Sequence, residues 1–356
     1  MIDIEDRIII GDCLVAMEDI FRLGPETPPF DAVITDPPYN VGMDTWDRYE
    51  DFVAFTRSWA EAASKLLKPG GYLCAFADRR TYHHVATGIE QAGFAVVDQL
   101  LWLHEQGRPK GLALDRAIDA ELGKTDERKV MYQIQTKTFA VHAGQKTEDR
   151  TVDVTYPATL DAERWLGWYT QLAPAHEPIC LAQKPFEPGD GIAENVIGRS
   201  GILEDQEDIL KNSTIGRSRG WGLGGLNIAA TGPRREDGSV RYTTNVIADE
   251  EAIQFVDELY GSECARVFFC PKPPSVERHS GGTTNTHRTV KPVGVMNWLC
   301  KLVTPPGGLV LDPFAGSGTT LAAAYQGGFH YLGIEMDKEY AEIAERRVKR
   351  SRMAVR

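Results

Sequence analysis

Residues 309–320 read LVLDPFAGSGTT, an apolar run followed by an acidic residue, a glycine loop and the start of a helical pattern. Short apolar runs of this kind are typical of strands buried inside a parallel sheet. Gly316 and Gly318 allow a tight turn and a close approach between the backbone and a ligand. Glu335 ends the next apolar run, residues 331–335. The segment therefore predicts strand, glycine loop, helix and strand, a unit found in nucleotide-binding α/β sheets.

The same alternation of strand and helix patterns extends over the rest of the chain. Short apolar runs predict strands at residues 7–13, 30–35, 72–76, 94–103 and 178–183. Helical periodicity predicts helices at residues 52–67, 82–92 and 293–303, and a charged helix from residue 337. The alternation predicts an α/β fold whose sheet carries helices on both faces. Periodicity is weak over residues 104–175 and 184–285, and the second stretch is interpreted as a loop-rich insertion.

The position of Glu335 bears on the ligand of the glycine loop. An acidic side chain at the end of the strand that follows such a loop can accept hydrogen bonds from ribose hydroxyls. A dinucleotide motif GxGxxG would require a third glycine where this chain has Leu321, so a nicotinamide cofactor fits less well. A glycine turn that only packs a helix on a strand is the alternative. Together, the loop and the acidic strand end favour an adenosine-containing ligand.

The tetrad Asp36-Pro37-Pro38-Tyr39 follows the predicted strand at residues 30–35. It therefore lies at the carboxyl end of that strand, where open α/β sheets bind their ligands. Two prolines make a rigid turn, but a turn alone requires neither the acid before it nor the aromatic after it. An exocyclic amine requires both. A carboxylate and a backbone carbonyl can localise its delocalised lone pair, and an aromatic face can hold a base taken out of the stack.

A DPPY tetrad that precedes a DPFAGSGT loop is a specific combination. With these motifs the chain resembles the amino-methyltransferases of DNA, in the permuted subgroup where the tetrad comes before the cofactor loop. Within that subgroup it resembles site-specific enzymes often found in phage and prophage. Further matching segments are residues 11–12, 68–71, 109–110, 174–178, 224–228 and 287–292.

The resemblance implies a Rossmann-like methyltransferase sheet of seven strands, in which residues 7–12 lie beside residues 331–335. It also implies a division of the chain into three parts. These are an N-terminal catalytic half at residues 1–183, a loop-rich target-recognition insertion at 184–285, and a C-terminal half at 286–356 that binds S-adenosylmethionine.

The resemblance assigns roles to individual residues. Asp36 is the acceptor for the target amino group, assisted by the carbonyl of Pro37, and Tyr39 stacks on the flipped base. Residues assigned to S-adenosylmethionine are Asp12 (adenine amino group), Glu335 (ribose), Asp312 (near the ammonium group), Phe314, Gly316, Ser317, Gly318 and Thr319 (loop), and Lys291 (methionine carboxylate). A solvated lysine before a helix is the alternative for Lys291. His176 and Glu177 are interpreted as a structural hydrogen-bonding pair beside a strand, not as an acid–base couple.

The expected reaction is direct methyl transfer to DNA, without a metal and without a covalent enzyme–base intermediate. Asp at position 36 favours the N6 of adenine, because Ser-Pro-Pro-Tyr is usual in the cytosine-N4 subgroup. Cytosine N4 remains the alternative base. Two other classes are a catalytically silent DNA-binding relative and a nicotinamide-dependent oxidoreductase. Both motifs are intact, which argues against the silent relative, and the missing third glycine argues against the oxidoreductase.

The net charge of −12 argues against a nucleic-acid partner, but phosphate contacts depend on local patches. Residues 211–246 contain six basic and two acidic residues, and residues 264–292 contain five basic and one acidic. The expected contacts to DNA in the first patch are Arg217, Arg219, Arg234 and Arg235.

The composition also bears on cellular location. Six cysteines without a CxxC pair indicate reduced, buried thiols in a cytoplasmic protein, with no zinc site. No apolar run is long enough to span a bilayer. A homodimer is left open.

Overall fold

The computed structural model describes residues 4–24, 28–42, 46–104, 111–137, 149–197, 221–232, 244–248, 268–269, 273, 275–280, 284–287 and 289–354. The chain divides into two compact units. One comprises Met1–His104 and His176–Arg356, and the other comprises Glu105–Ala175.

The first unit contains one mixed sheet, in the order β1-β11-β10-β2-β3-β7-β4-β8-β9, and the second contains the pair β5-β6. The strands are β1 (Arg7–Ile10), β2 (Phe30–Thr35), β3 (Leu67–Phe76), β4 (Ala95–Leu103), β5 (Lys129–Lys137), β6 (Asp149–Tyr156), β7 (His176–Gln183), β8 (Val246–Ala248), β9 (Phe268–Phe269), β10 (Leu309–Asp312) and β11 (His330–Glu335). Within the large sheet β7 is antiparallel to β3 and β4, and the other described pairings are parallel. The carboxyl ends of β2, β10 and β11 therefore share one edge, and β7 begins at that edge.

Helices cover both faces of the large sheet. The described helices of the first unit are α1 (Cys13–Arg22), α2 (Phe52–Leu66), α3 (Tyr82–Gln91), α6 (Ile192–Ile197), α7 (Ile228–Thr231), α8 (Ser275–Arg278), α9 (Val293–Val303), α10 (Thr319–Gln326) and α11 (Lys338–Ala354). Those of the second unit are α4 (Leu114–Glu121) and α5 (Leu160–Glu163), with a 3₁₀ turn at Thr125–Glu127. β2 shows how the two faces are held, because all six of its residues are buried. Ile34 packs in one core with Trp298 of α9, and Val33 packs in the other with Met17 of α1 and Trp59 of α2. Alternate side chains of a strand point to opposite faces, so a strand between two helix layers must be apolar throughout.

The α/β prediction is confirmed, and the predicted bounds agree with the structure to within a few residues for most elements. β1 pairs with β11, with Ile10 opposite Glu335, as expected from the resemblance. The expected count of seven strands is wrong, since the sheet has nine described strands. The additional strands β8 and β9 come from the stretch interpreted as loop-rich, and they extend the sheet beyond β4. They are three and two residues long, too short to show a strand pattern in the sequence.

The second unit is folded, although its periodicity is weak. β5 and β6 form an antiparallel pair. The guanidinium group of Arg128 bonds to the carboxylates of Asp115 and Asp119 on α4, and all three side chains are buried. Asp119 also accepts hydrogen bonds from Ala158 N (2.8 Å) and Thr159 Oγ1 (2.8 Å). A buried charged network thus joins α4 to the hairpin and to the segment after it, a kind of core that hydrophobic periodicity does not reveal.

The predicted buried thiols are confirmed for Cys13, Cys74, Cys180 and Cys300, which are free and buried. Cys264 and Cys270 lie outside the described residues. In the part of the chain that the structure describes, no helix is both long and apolar enough to cross a membrane.

Candidate active site

A cavity of about 290 Å³ opens at the edge where β2, β10 and β11 end. The Asp36–Tyr39 tetrad after β2 and the glycine loop after β10 both line it. Thr35 Oγ1 donates a hydrogen bond to Asp312 Oδ1 (2.7 Å) and thereby joins the ends of the two strands. The parallel pairing of β2 with β10 brings the two motifs together, as predicted from their positions at strand ends.

Four side chains form a hydrogen-bonded cluster at the tetrad. Tyr39 Oη donates to Asp36 Oδ1 at 2.5 Å, and Lys291 Nζ donates to Asp36 Oδ2 at 2.6 Å. Glu177 Oε2 lies 3.3 Å from Tyr39 Oη and 3.3 Å from Lys291 Nζ. Both oxygens of Asp36 are thus engaged by donors, and the same two donors face a second carboxylate.

Burial and charge set the protonation states in this cluster. Burial alone would lower the pKa of Lys291, but Asp36 and Glu177 outweigh it and raise that pKa, so the side chain is an ammonium ion. Burial and the two nearby carboxylates raise the pKa of Tyr39 well above its usual value, so the phenol is a neutral donor. Burial raises the pKa of Asp36, and the charge of Lys291 opposes this shift. The cluster therefore holds a hydrogen-bond acceptor, Asp36, beside a fixed positive charge.

Lys291 and Glu177 both belong to the cluster around Asp36. Lys291 was expected near the methionine carboxylate of the cofactor, and this stays a prediction; within the protein its ammonium group is paired with Asp36 and Glu177. Glu177 was interpreted as a structural partner of His176, yet it belongs to the cluster around Asp36. The direction of β7 explains the difference. Because β7 is antiparallel to β3, its first residues lie at the edge where β2 ends, and nothing in the sequence marks that direction.

Glu335 lies in the wall of the same cavity, at the end of β11. Its Oε2 accepts a hydrogen bond from Gly316 N (2.7 Å) and its Oε1 accepts one from Asp337 N (2.9 Å). A carboxylate has about four acceptor positions, so these bonds fix its orientation and leave acceptor capacity for a ligand. Burial raises the pKa of Glu335, and the two backbone donors oppose this shift.

Asp12 and Asp312 also line the cavity. Asp12 is exposed and caps α1, where its Oδ1 accepts hydrogen bonds from Leu14 N (2.9 Å) and Val15 N (3.1 Å). Asp312 is only 2% exposed, and burial raises its pKa to about 6. Hydrogen bonds from the protein itself thus hold both carboxylates in place.

The glycine loop residues divide between the cavity and the protein interior. Gly316 has φ +51°, and a Cβ there would lie 2.8 Å from Nε2 of His287, another cavity residue. Phe314 lines the cavity and packs edge-on against Trp59, with the ring centroids 5.7 Å apart. Gly318 has φ +77°, and a Cβ there would lie 2.6 Å from the Cβ of Ala344 on α11. Gly318 therefore allows the close approach of α11, and its assignment to the cofactor stays a prediction.

Arg347 on α11 supports the glycine loop, a role that the sequence does not indicate. This α11 side chain is buried, and its Nη1 donates to Ser317 O (2.7 Å), Ser317 Oγ (2.9 Å) and Thr319 Oγ1 (3.0 Å). Ser317 and Thr319 were expected to bind the cofactor, and both line the cavity. That assignment stays a prediction; within the protein, Arg347 binds their hydroxyl groups.

The expected DNA contacts Arg217, Arg219, Arg234 and Arg235 lie outside the described residues. They stay predictions.

Comparisons with known proteins show the family to which the chain belongs. The type II methyltransferase M.HindIII of Haemophilus influenzae is 23% identical over 381 residues, which cover 95% of each chain. The putative methylase YubD of Escherichia coli is 36% identical over 96 residues, 25% of this chain and 42% of that protein. The structure of the PvuII DNA methyltransferase, described as cytosine-N4-specific, aligns with a TM-score of 0.50 at 14% identity, over 96% of this chain and 85% of that one. This likeness concerns the fold. The N6/N4 DNA methylase family matches residues 30–346, and the chain belongs to that family.

Proposed function

We propose that the chain methylates the exocyclic N6 of adenine at a specific sequence in DNA. Methyl transfer to DNA with S-adenosylmethionine as the donor follows from the family. The choice of adenine and the roles of individual residues are the proposal. The observation that carries it is one cavity that contains the Asp36–Tyr39 tetrad together with the glycine loop and Glu335.

The charge of the cavity fits the donor. S-adenosylmethionine supplies a methyl group activated by a positively charged sulfonium. Cavity-lining residues that carry carboxylates are Asp12, Asp36, Asp47, Asp312, Glu335 and Asp337. Lys291 is the cation among the described lining residues, and it is paired with Asp36. Burial lowers the pKa of His287 to about 4, so this lining residue is neutral near pH 7. An acidic cavity of this kind favours a cationic ligand.

The proposed roles of the cofactor residues follow from their places. Glu335 is oriented by two backbone donors and would bind the ribose hydroxyls. Asp12, at the start of α1, would accept from the adenine amino group, and Asp312 would lie near the ammonium group. Phe314 and Gly316 would contact the methionine and ribose portions.

In the same cavity, Asp36 would accept a hydrogen bond from the target amino group, with the Pro37 carbonyl as a second acceptor. These bonds concentrate the lone pair on nitrogen and stabilise the positive charge that develops there during transfer. The ring of Tyr39 offers a face for the flipped base. A carboxylate at position 36, in place of the serine of the Ser-Pro-Pro-Tyr subgroup, supports adenine as the target.

The test of this function is the chemical identity of the methylated base. The purified protein is incubated with mixed-sequence DNA and S-adenosylmethionine that carries a labelled methyl group. The DNA is digested to nucleosides and analysed by mass spectrometry, with Asp36→Asn as the control protein. We expect label in N6-methyldeoxyadenosine. Label in N4-methyldeoxycytidine would overturn the choice of base, and unlabelled DNA would overturn the function.

Glu335→Ala is expected to weaken S-adenosylmethionine binding by about 1–3 kcal/mol, the scale of a hydrogen bond to a charged group. Glu335→Gln is the matched control, because the amide keeps one acceptor oxygen and should lose less. Isothermal titration calorimetry measures both, and thermal unfolding checks that each variant is folded. If Glu335→Ala bound the cofactor as tightly as the wild type, the ribose assignment would be wrong.

DNA recognition is proposed for residues 184–285, with Arg217, Arg219, Arg234 and Arg235 as contacts. The support is the basic character of residues 211–246 and their position between the segments that carry the two motifs. Guanidinium groups bind phosphates and the edge of guanine in the major groove. The proposed division into residues 1–183, 184–285 and 286–356 rests on the same argument, and DNA as the substrate implies action in the cytoplasm of the host cell.

A further inference from the structure

Two carboxylates at the tetrad share one buried ammonium group. Lys291 Nζ lies 2.6 Å from Asp36 Oδ2 and 3.3 Å from Glu177 Oε2, and only 5% of the Lys291 side chain is exposed. The rings of Tyr39 and Phe76 also lie near the ammonium group, with their centroids 5.2 Å and 5.0 Å from Nζ. The ammonium group of Lys291 is buried, and Glu177 is the carboxylate near it that can replace Asp36 as its partner.

Asp36 and Glu177 face the same two donors. The target amino group requires an oxygen of Asp36 as acceptor, and each of its two oxygens already accepts one bond, from Tyr39 Oη and Lys291 Nζ, so the amino group must share this carboxylate with the ammonium group. Glu177 Oε2 is 3.3 Å from each of these donors. Both donors can therefore pass to Glu177 by a shift of well under 1 Å toward normal hydrogen-bond distance, about 2.9 Å.

We propose that Lys291 and Glu177 are positioning residues of the methyl-transfer site. Lys291 holds the Asp36 carboxylate ionised and oriented before the base arrives. When the target amino group binds Asp36, Lys291 transfers its hydrogen bond to Glu177. This inference rests on the proposed role of Asp36 as the acceptor for the amino group.

The charges around Asp36 determine what each substitution does. The groups that face it are Lys291 before α9, Glu177 on β7, Tyr39 in its own loop and Asp312 on β10, and His104 at the end of β4 faces Glu177 across 3.8 Å. Burial and Glu177 raise the pKa of Asp36, and Lys291 lowers it. Loss of the ammonium group should therefore raise this pKa further, and loss of the Glu177 charge should lower it. Asp36 must be ionised to act. The acid limb of the pH–activity profile should therefore move to higher pH when the ammonium group is lost and to lower pH when the Glu177 charge is lost.

The experiment compares the wild type with Lys291→Met, Lys291→Arg and Glu177→Gln. The kcat/KM for DNA is measured from acid to neutral pH at saturating S-adenosylmethionine. In Lys291→Met the acid limb should move up by about one pH unit or more, a roughly tenfold loss within the limb, and Lys291→Arg should restore most of it. In Glu177→Gln the limb should move down. The KM for DNA should rise about tenfold in this variant, because the ammonium group stays on Asp36. Burial raises the pKa of Asp312 to about 6, so its titration could also affect the acid limb. Because Asp312 is assigned to the cofactor, the affinity for S-adenosylmethionine over the same pH range distinguishes its titration from that of Asp36.

Opposite shifts of the two limbs support the proposal, because a general loss of packing would not produce them. Limbs that coincide with the wild type, or that move in the same direction, overturn it. Should Lys291→Met fail to fold, the near-isosteric Glu177→Gln decides the question: an acid limb that moves down supports the proposal, and one that stays in place or moves up overturns it. A wild-type protein that binds S-adenosylmethionine but methylates no DNA contradicts the proposed function itself. Active wild-type protein with unmoved limbs contradicts only the roles of Lys291 and Glu177.

Discussion

Asp36→Ala is expected to reduce the rate of DNA methylation by at least about 10³-fold, the upper range for loss of one transition-state hydrogen-bond partner. The carboxylate contacts the ammonium group of Lys291, and in the proposed site it acts on the target amine of the base. Binding of S-adenosylmethionine should therefore stay within about twofold of the wild type, a change of less than 0.5 kcal/mol. Single-turnover methyl transfer and isothermal titration calorimetry measure the two quantities.

The structure indicates that this variant will fold. Lys291 loses one carboxylate but keeps Glu177, 3.3 Å away, so its buried charge is still compensated. Asp36→Asn is the matched control, since it preserves the volume of the side chain and removes its charge. We expect it to lose most of the activity as well. Wild-type turnover in Asp36→Ala would refute the role of Asp36 as the acceptor for the target amino group. A loss of cofactor affinity as large as the loss of rate would show that Asp36 acts on the cofactor instead.

Gly318→Ala should destabilise the protein by about 2–5 kcal/mol. A left-handed backbone conformation costs a residue with a Cβ roughly 1–2 kcal/mol, and overpacking adds about 1–3 kcal/mol. Both terms apply, because Gly318 has φ +77° and a Cβ there would lie 2.6 Å from the Cβ and 2.9 Å from the Cα of Ala344. Neither atom belongs to the end of a flexible side chain, so α11 or the glycine loop must move.

The chain offers a control that carries the backbone term alone. Gly328, after α10, has φ +79°, and a Cβ there would meet no atom within 4 Å. Gly328→Ala should cost only about 1–2 kcal/mol. Denaturant unfolding followed by circular dichroism gives the free energy of unfolding of both variants. Equal losses of unfolding free energy in the two variants would show that the approach of α11 does not require glycine at position 318.

Much of the fold could be predicted from the sequence because its strands are buried on both faces. Such strands, for example β2 and β10, appear as short, nearly continuous apolar runs with clear ends. The two motifs follow these runs directly, and parallel strands place their carboxyl ends at one edge. The meeting of Asp36 and the glycine loop was therefore predictable without knowledge of any contact.

The residues that could not be predicted reach the site by other routes. Glu177 depends on the direction of β7, which is set by pairing with β3 and β4 and has no local signal. Arg347 lies on a helix rich in charge, where one buried guanidinium group looks like its solvated neighbours. Lys291 was singled out, but its partners within the protein, Asp36 and Glu177, could not be identified, because they come from distant parts of the chain.

The pairing of β1 with β11 has a consequence for the synthesis of the protein. β1 lies at one end of the sheet, and its described neighbour is β11. The hydrogen bonds of β1 can therefore form only after residues more than 300 positions further along the chain have been synthesised. At about 5–20 residues per second, a ribosome needs tens of seconds to cover that distance. During this time the nascent chain carries an unpaired strand, and such strands promote aggregation. The cavity at the carboxyl ends of the strands, whose wall includes residues from the ends of β1 and β11, is completed only when β11 has left the ribosome.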